Sequence, residues 1–181
     1  VIKFAPVLRL LKETPEVESA VAVTGQHREM LQQMLTQFEI TADYNLDVMQ
    51  PNQSLSQLTS TVLERVTPLL AEHRPDRVLV QGDTTTGFAT TLACFYAGIP
   101  VGHIEAGLRS GNMQSPWPEE FNRRAISLMA VLHFVPTPLA ADALRDENIA
   151  EENIFVTGNT VVDALQYFSA LLKPGTALHE Q

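Results

Sequence analysis

One cysteine, Cys94, stands in 181 residues. A single thiol excludes an internal disulfide framework, and its small-residue helical setting reads as a buried, inert packing group that suits a reducing compartment. Basic residues are scarce: 12 Lys and Arg against 21 Asp and Glu give a formal net charge of −9. Such a field repels nucleic acid and anionic lipid, so neither partner is expected. No apolar run approaches the roughly 20 residues that span a bilayer. His and Cys are not clustered at metal-ligand spacing, which argues against a structural zinc site. There is no Gly-x-Ser-x-Gly elbow. The run Gly82-Asp83-Thr84-Thr85-Thr86-Gly87 lacks the lysine of a P-loop and the glycine spacing of a dinucleotide fingerprint. Internal repeats and low-complexity stretches are absent as well.

What is present is an ordinary globular composition, 45% apolar and 18% charged, in a chain long enough for one substantial domain with a hydrophobic core. Short β-branched runs alternate with longer helical patterns, which predicts an α/β fold on a parallel sheet. Strands are expected at Ala20–Thr24, Arg77–Gln81, Ile99–Glu105, His133–Pro136 and Ile154–Thr157, with a weaker one at Tyr44–Leu46. Helices fill residues 2–13, 27–38, 54–73, 84–97, 118–131, 137–147 and 160–172. In the third, Ser54 is a natural cap, and Leu55, Leu58, Val62, Val66, Leu69 and Leu70 recur at helical spacing. Ala106–Pro118, rich in Gly and Pro and poor in apolar residues, reads as a functional loop. The chain opens on a helical face, Phe4, Val7, Leu8 and Leu11, with no strand before it. In a doubly wound sheet the first strand is central, so a gap is expected in the middle of the sheet, and the sequence reads as a piece of a longer polypeptide.

Open parallel sheets bind ligands beyond the carboxyl ends of their strands. Those ends carry Thr24-Gly25-Gln26-His27-Arg28, Gln81-Gly82-Asp83-Thr84, His103-Ile104-Glu105-Ala106-Gly107-Leu108-Arg109 and Thr157-Gly158-Asn159-Thr160. Four glycine-containing polar ends, two with a carboxylate, make a pocket rim. Each piece has a plainer reading. Asp83 before Thr84 suits a helix N-cap. Glu105 follows the apolar run Pro100–Ile104, where a carboxylate is costly unless satisfied, and a structural hydrogen-bonding role is open to it. His103 suits a satisfied core or strand-end histidine. Pro118 to Arg124 reads as a helix start, with Glu119–Arg123 and Glu120–Arg124 as i,i+4 pairs. Glu120 and Arg124 go no further than that; the flexible loop feeding this helix raises Glu119 and Arg123 to candidates.

The segments Val1–Pro6, Thr24–Leu31, Val80–Thr86, Pro100–Arg109, Ser115–Glu120 and Thr157–Ala164 together resemble the non-hydrolysing UDP-N-acetylglucosamine 2-epimerases. Six motifs in register over nearly the whole chain make the resemblance specific. It implies the N-terminal Rossmann-like half of a GT-B-like two-domain enzyme lacking its first strand. Residues 1–158 would be that half, and 159–181 the start of the crossover to a C-terminal domain holding most uridine and diphosphate contacts. The implied reaction interconverts UDP-GlcNAc and UDP-ManNAc by eliminating UDP to 2-acetamidoglucal and adding it back, with no cofactor. It would supply ManNAc units for cell-surface polysaccharide in the cytoplasm, in a homodimer built through this half, and this chain alone would be inactive.

Carried over by motif, Asp83, Glu105 and Glu119 are the implied catalytic carboxylates, with Lys3, Arg123 and His103 binding substrate or supporting them. Without the resemblance Lys3 reads as a solvated helix residue. Some relatives carry a second, activating nucleotide-sugar site, to parts of which Gln26, His27 and Glu119 correspond. Glu29 and Asn52 depart from that pattern, and Asn52 brings no charge to meet a diphosphate. The alternatives are a GT-B glycosyltransferase, against which the three carboxylates argue, and a non-catalytic nucleotide-sugar-binding remnant.

Overall fold

The computed structural model describes residues 1–25 and 28–171. Seven helices and six strands alternate among them: α1 (Ala5–Lys12), β1 (Ala22–Val23), α2 (Arg28–Gln37), β2 (Tyr44–Asn45), α3 (Leu55–His73), β3 (Val78–Gln81), α4 (Thr85–Ala97), β4 (Val101–Ile104), α5 (Glu119–Met129), β5 (Leu132–Val135), α6 (Pro138–Asp146), β6 (Ile154–Val156) and α7 (Thr160–Leu171). Every strand pairing is parallel, as the alternation of strand and helix predicts.

The strands form two sheets, β1–β2 and β3–β4–β5–β6. The sheet is thus divided between β1 and β3, where a gap is expected. The first strand is two residues long where five are expected: Ala22 and Val23 pair with Tyr44 and Asn45 of β2 alone.

Local signals set the helix ends. At Ser54 a capping box closes α3: the Ser54 hydroxyl accepts from the Gln57 amide at 3.2 Å, and the Ser54 amide donates to the Gln57 side chain at 2.8 Å. Arg74 then takes a left-handed conformation, and Pro75 ends the helix. The main core lies where α3 and α4 cover β3 and β4, with Val62, Val66, Leu70, Val80, Ala89, Ala93, Cys94, Val101 and Ile126 buried together. Cys94 is wholly enclosed, and burial pushes its thiol up to about 11. It is the inert packing group that composition suggests.

A second cluster, Ala106, Val135, Ala140, Ala141, Leu144 and Ile154, seats α6 against β5 and β6. Gly107 makes this packing possible. Its φ is +81°, and a Cβ there would stand 2.2 Å from the Ala140 carbonyl oxygen, so the loop leaving β4 can cross α6 only without a side chain. A third cluster joins the two ends of the chain. Ala5, Phe38 and Ala164 are buried with Tyr167 and Phe168 beside them, and Phe38 meets Phe168 edge-on at 4.4 Å.

Candidate active site

Of the four strand ends predicted to form a rim, those of β3, β4 and β6 are assembled around Glu105, whereas Gly25, after β1, lies against Asn45 and Asp47. Glu105 was expected to end a strand and instead leaves it, taking a φ of +65° just after Ile104. That conformation is uncommon for a non-glycine residue, and here the side chain is held by several partners. Lys3 Nζ donates to both carboxylate oxygens at 2.6 Å, Gln81 Nε2 donates at 2.5 Å and Asn159 Nδ2 at 3.2 Å. The donors come from the segment before α1, from β3 and from the turn after β6. Lys3 is therefore no solvated helix residue: it lies just ahead of α1, and its ammonium is committed to the site.

Asp83 stands across Gly82 from Glu105. A Cβ on Gly82 would lie 3.9 Å from Glu105 Oε2, and Gly82 has a φ of +73°. The helix-cap reading of Asp83 does not hold, because Thr84 performs that task, its hydroxyl accepting from the Gly87 amide at 3.1 Å. The Asp83 side chain is thereby released to pair with Arg123 Nη2, while Asn122 Nδ2 donates to the Asp83 carbonyl at 2.9 Å. Helix α5 thus grips both the backbone and the side chain of Asp83.

The i,i+4 pairs expected on α5 do not form. Arg123 turns from Glu119 towards Asp83 and, at 3.5 Å, Glu120. Arg124 pairs with Glu147 at 3.0 Å, and Glu147 also receives Arg109 at 2.6 Å. These two arginines tie the loop after β4 and helix α5 to the end of α6. Glu119, the first residue of α5, is partly exposed and has no hydrogen-bond or ion-pair partner among the described residues. It lies one turn ahead of Arg123 on α5 and makes no direct bond to Asp83 or Glu105.

Glu120, read from sequence as an ordinary surface acid, is fully buried. Its Oε2 accepts from the Ser110 amide at 3.0 Å. Burial would raise its pKa, but the Ser110 amide and hydroxyl, the Arg123 guanidinium and the Gly111 amide outweigh it and hold the carboxyl below its ordinary range.

His103 supports the rim from beneath. It is buried, and its Nε2–H donates to the Gly82 carbonyl at 2.7 Å, steadying the turn between the two carboxylates. Burial drives its pKa down to about 4, and His133, opposite it on β5, falls to about 4 for the same reason. A neutral imidazole enclosed this way holds the backbone and does not reach a ligand. Gln26 and His27 lie outside the described residues.

Of the residues singled out from the sequence, the structure brings Asp83, Glu105, Lys3 and Arg123 together, with Gln81 and Asn159, named on the rim without a task, donating to Glu105. Sequence reasoning missed Asn122 and Glu120. Asn122 has the clearest hint, a polar residue on the same helix as Ile126 and one position from Arg123.

Comparison with known proteins gives a consistent result. The family model described as UDP-N-acetylglucosamine 2-epimerase matches residues 9–180. The UDP-N-acetylglucosamine 2-epimerase of Salmonella typhimurium is 56% identical over 164 residues, covering 91% of this chain and 44% of that protein. Among solved structures, the Neisseria meningitidis UDP-GlcNAc 2-epimerase bound to UDP-GlcNAc superposes with a TM-score of 0.91 at 51% identity, over 94% of this chain and 47% of the other. The Methanocaldococcus jannaschii UDP-GlcNAc 2-epimerase in complex with UDP-GlcNAc and UDP gives 0.89 at 34% identity, over 96% and 48%. The chain spans a little under half the length of each of these relatives.

Proposed function

Because the chain belongs to the UDP-N-acetylglucosamine 2-epimerase family, we propose that it supplies the carboxylate-bearing half of an enzyme that interconverts UDP-GlcNAc and UDP-ManNAc. The observation that carries the reading is the pair Asp83 and Glu105, set on neighbouring strand ends either side of Gly82 and each joined to a cation, Arg123 and Lys3.

The hydrogen at C2 of the sugar is not adjacent to a carbonyl, so its direct removal leaves no stabilised anion. Elimination avoids the problem. As the C1–O bond to UDP breaks, its electron pair leaves with the diphosphate, a carboxylate takes the C2 proton, and 2-acetamidoglucal forms. In the return step UDP oxygen adds at C1 while a carboxylic acid delivers a proton to the opposite face of C2. Two carboxylates suit this exchange, one removing and one supplying the proton. We assign Asp83 and Glu105 to proton transfer at C2. Glu119, unpaired at the start of α5, takes the role of orienting substrate or of facing the positive charge that develops near C1. Lys3 and Arg123 fix the two carboxylates, and His103 fixes the turn between them.

The same reading places this half in a homodimer in the cytoplasm, feeding ManNAc to surface polysaccharide, with residues 159–181 beginning the crossover to a second domain. Among the described residues no helix is long and apolar enough to cross a membrane. The test is isotopic. Turnover of UDP-GlcNAc by the intact enzyme in deuterium oxide should place deuterium at C2 of the recovered sugar nucleotides. Recovery with hydrogen retained at C2 would remove the epimerase assignment, and transfer of the sugar to an acceptor would make the enzyme a glycosyltransferase.

A further inference from the structure

The least economical feature of the site is Glu120. Its carboxylate is shut off from water; Oε2 accepts from the Ser110 amide and lies 3.5 Å from Arg123 Nη1, while Oε1 and the buried Nε of Arg123 lack a hydrogen bond of good geometry. Buried polar atoms left unpaired cost stability, and so does an ion pair removed from water. What only a carboxylate supplies is a second negative charge for the guanidinium that holds Asp83.

We propose that Glu120 is a positioning residue for the carboxylate chemistry assigned to Asp83, and the proposal rests on that assignment. Anchored by the Ser110 amide at the root of the 106–118 loop, it holds one arm of Arg123, Nη1, so that the other, Nη2, faces Asp83. The planar guanidinium presents separate donors to the two carboxylates in fixed directions, whereas an ammonium is a compact point charge with no such fork. Sharing the positive charge between two anions also leaves Asp83 a less tightly paired base than a lone arginine would. Glu105, with its partner Lys3, lies beside Gly82, the residue before Asp83.

Carbon-13 NMR of the Asp83 carboxyl against pH, in the 181-residue chain, reads this directly. Glu120→Gln keeps the size and an acceptor for Ser110 but removes the charge, leaving Arg123 to Asp83 alone. The Asp83 midpoint should then fall by roughly 0.5–1 pH unit, as expected of a carboxylate given a cation to itself. An unmoved midpoint in a folded Glu120→Gln chain overturns the proposal. If that chain does not fold, Arg123→Lys decides. A single ammonium should follow the buried Glu120 and abandon Asp83, whose midpoint then rises by a similar amount; a midpoint unchanged or lowered overturns the proposal. Neither readout involves turnover, so a failure here is distinct from a failure of the epimerase reading, which the deuterium experiment addresses.

Discussion

At the scale of single residues, the site depends on carboxylates held by more donors than a surface acid would collect. Glu105 receives Lys3, Gln81 and Asn159 while its own backbone sits at a φ of +65°. The two facts belong together, because the several partners hold the side chain while the backbone takes a conformation that is uncommon for a glutamate. Glu105→Gln keeps the shape and much of the hydrogen bonding but cannot exchange a proton. In the intact enzyme it should lower kcat by about 10²–10⁴-fold, the usual contribution of a positioned acid or base. Asn159→Ala removes a 3.2 Å hydrogen bond and no proton-transfer group, so its loss should be smaller than that of Glu105→Gln. Steady-state rates of the two variants, with circular dichroism to confirm the fold, compare these directly. If Asn159→Ala costs as much as Glu105→Gln, Glu105 is acting as a structural anchor.

At the scale of elements, β4 and β5 place two histidines side by side in the interior. His103 and His133 are register partners, both are buried, and both are held near a pKa of about 4 by burial. In the unfolded chain each would titrate near its ordinary value of about 6.5. As pH falls from 6.5 towards 4 the unfolded chain takes up protons that the folded one refuses, so stability is full above 6.5 and declines below it. Between pH 6.5 and 5 the two together should cost on the order of 2–4 kcal/mol. Urea midpoints across that window should fall steeply, and a His103→Gln, His133→Gln chain should show a flatter profile; equal slopes would mean that other groups carry the acid sensitivity. These strands show what is legible in a sequence. The apolar runs of β3 and β4 and the helical spacing of α3 mark their positions, because one side of each must face a core. Asp83 and Glu105 are legible for the same reason, as carboxylates at the ends of apolar strands. Glu120 is not. Glu119 and Glu120 are adjacent acids at a helix start, alike in sequence, and only the fold of the 106–118 loop buries one and leaves the other open. Helical spacing likewise pairs Arg123 with Glu119, whereas the attraction of Asp83, forty residues away along the chain, is a property of the assembled sheet.

At the scale of the whole molecule, the described chain gathers carboxylates and the cations that balance them on one rim, in a protein of formal net charge −9. Lys3 and Arg123, the two cations at that rim, are already spent on Glu105 and Asp83. A diphosphate approaching Asp83 and Glu105 therefore meets carboxylates whose cation partners are already engaged, which is a poor place for two negative charges to bind tightly. The chain spans 44% of its Salmonella relative and 47% of the Neisseria structure that holds UDP-GlcNAc. Both considerations lead to the same expectation: the nucleotide's affinity comes mainly from contacts outside residues 1–181, while this part contributes the groups that act on the sugar ring. Calorimetric titration of the 181-residue chain with UDP-GlcNAc should show weak or undetectable binding, with a Kd at or above the order of 1 mM, where binding releases about 4 kcal/mol. Affinity in the low micromolar range would place a nucleotide site within this chain and move the diphosphate to residues other than those described at the rim.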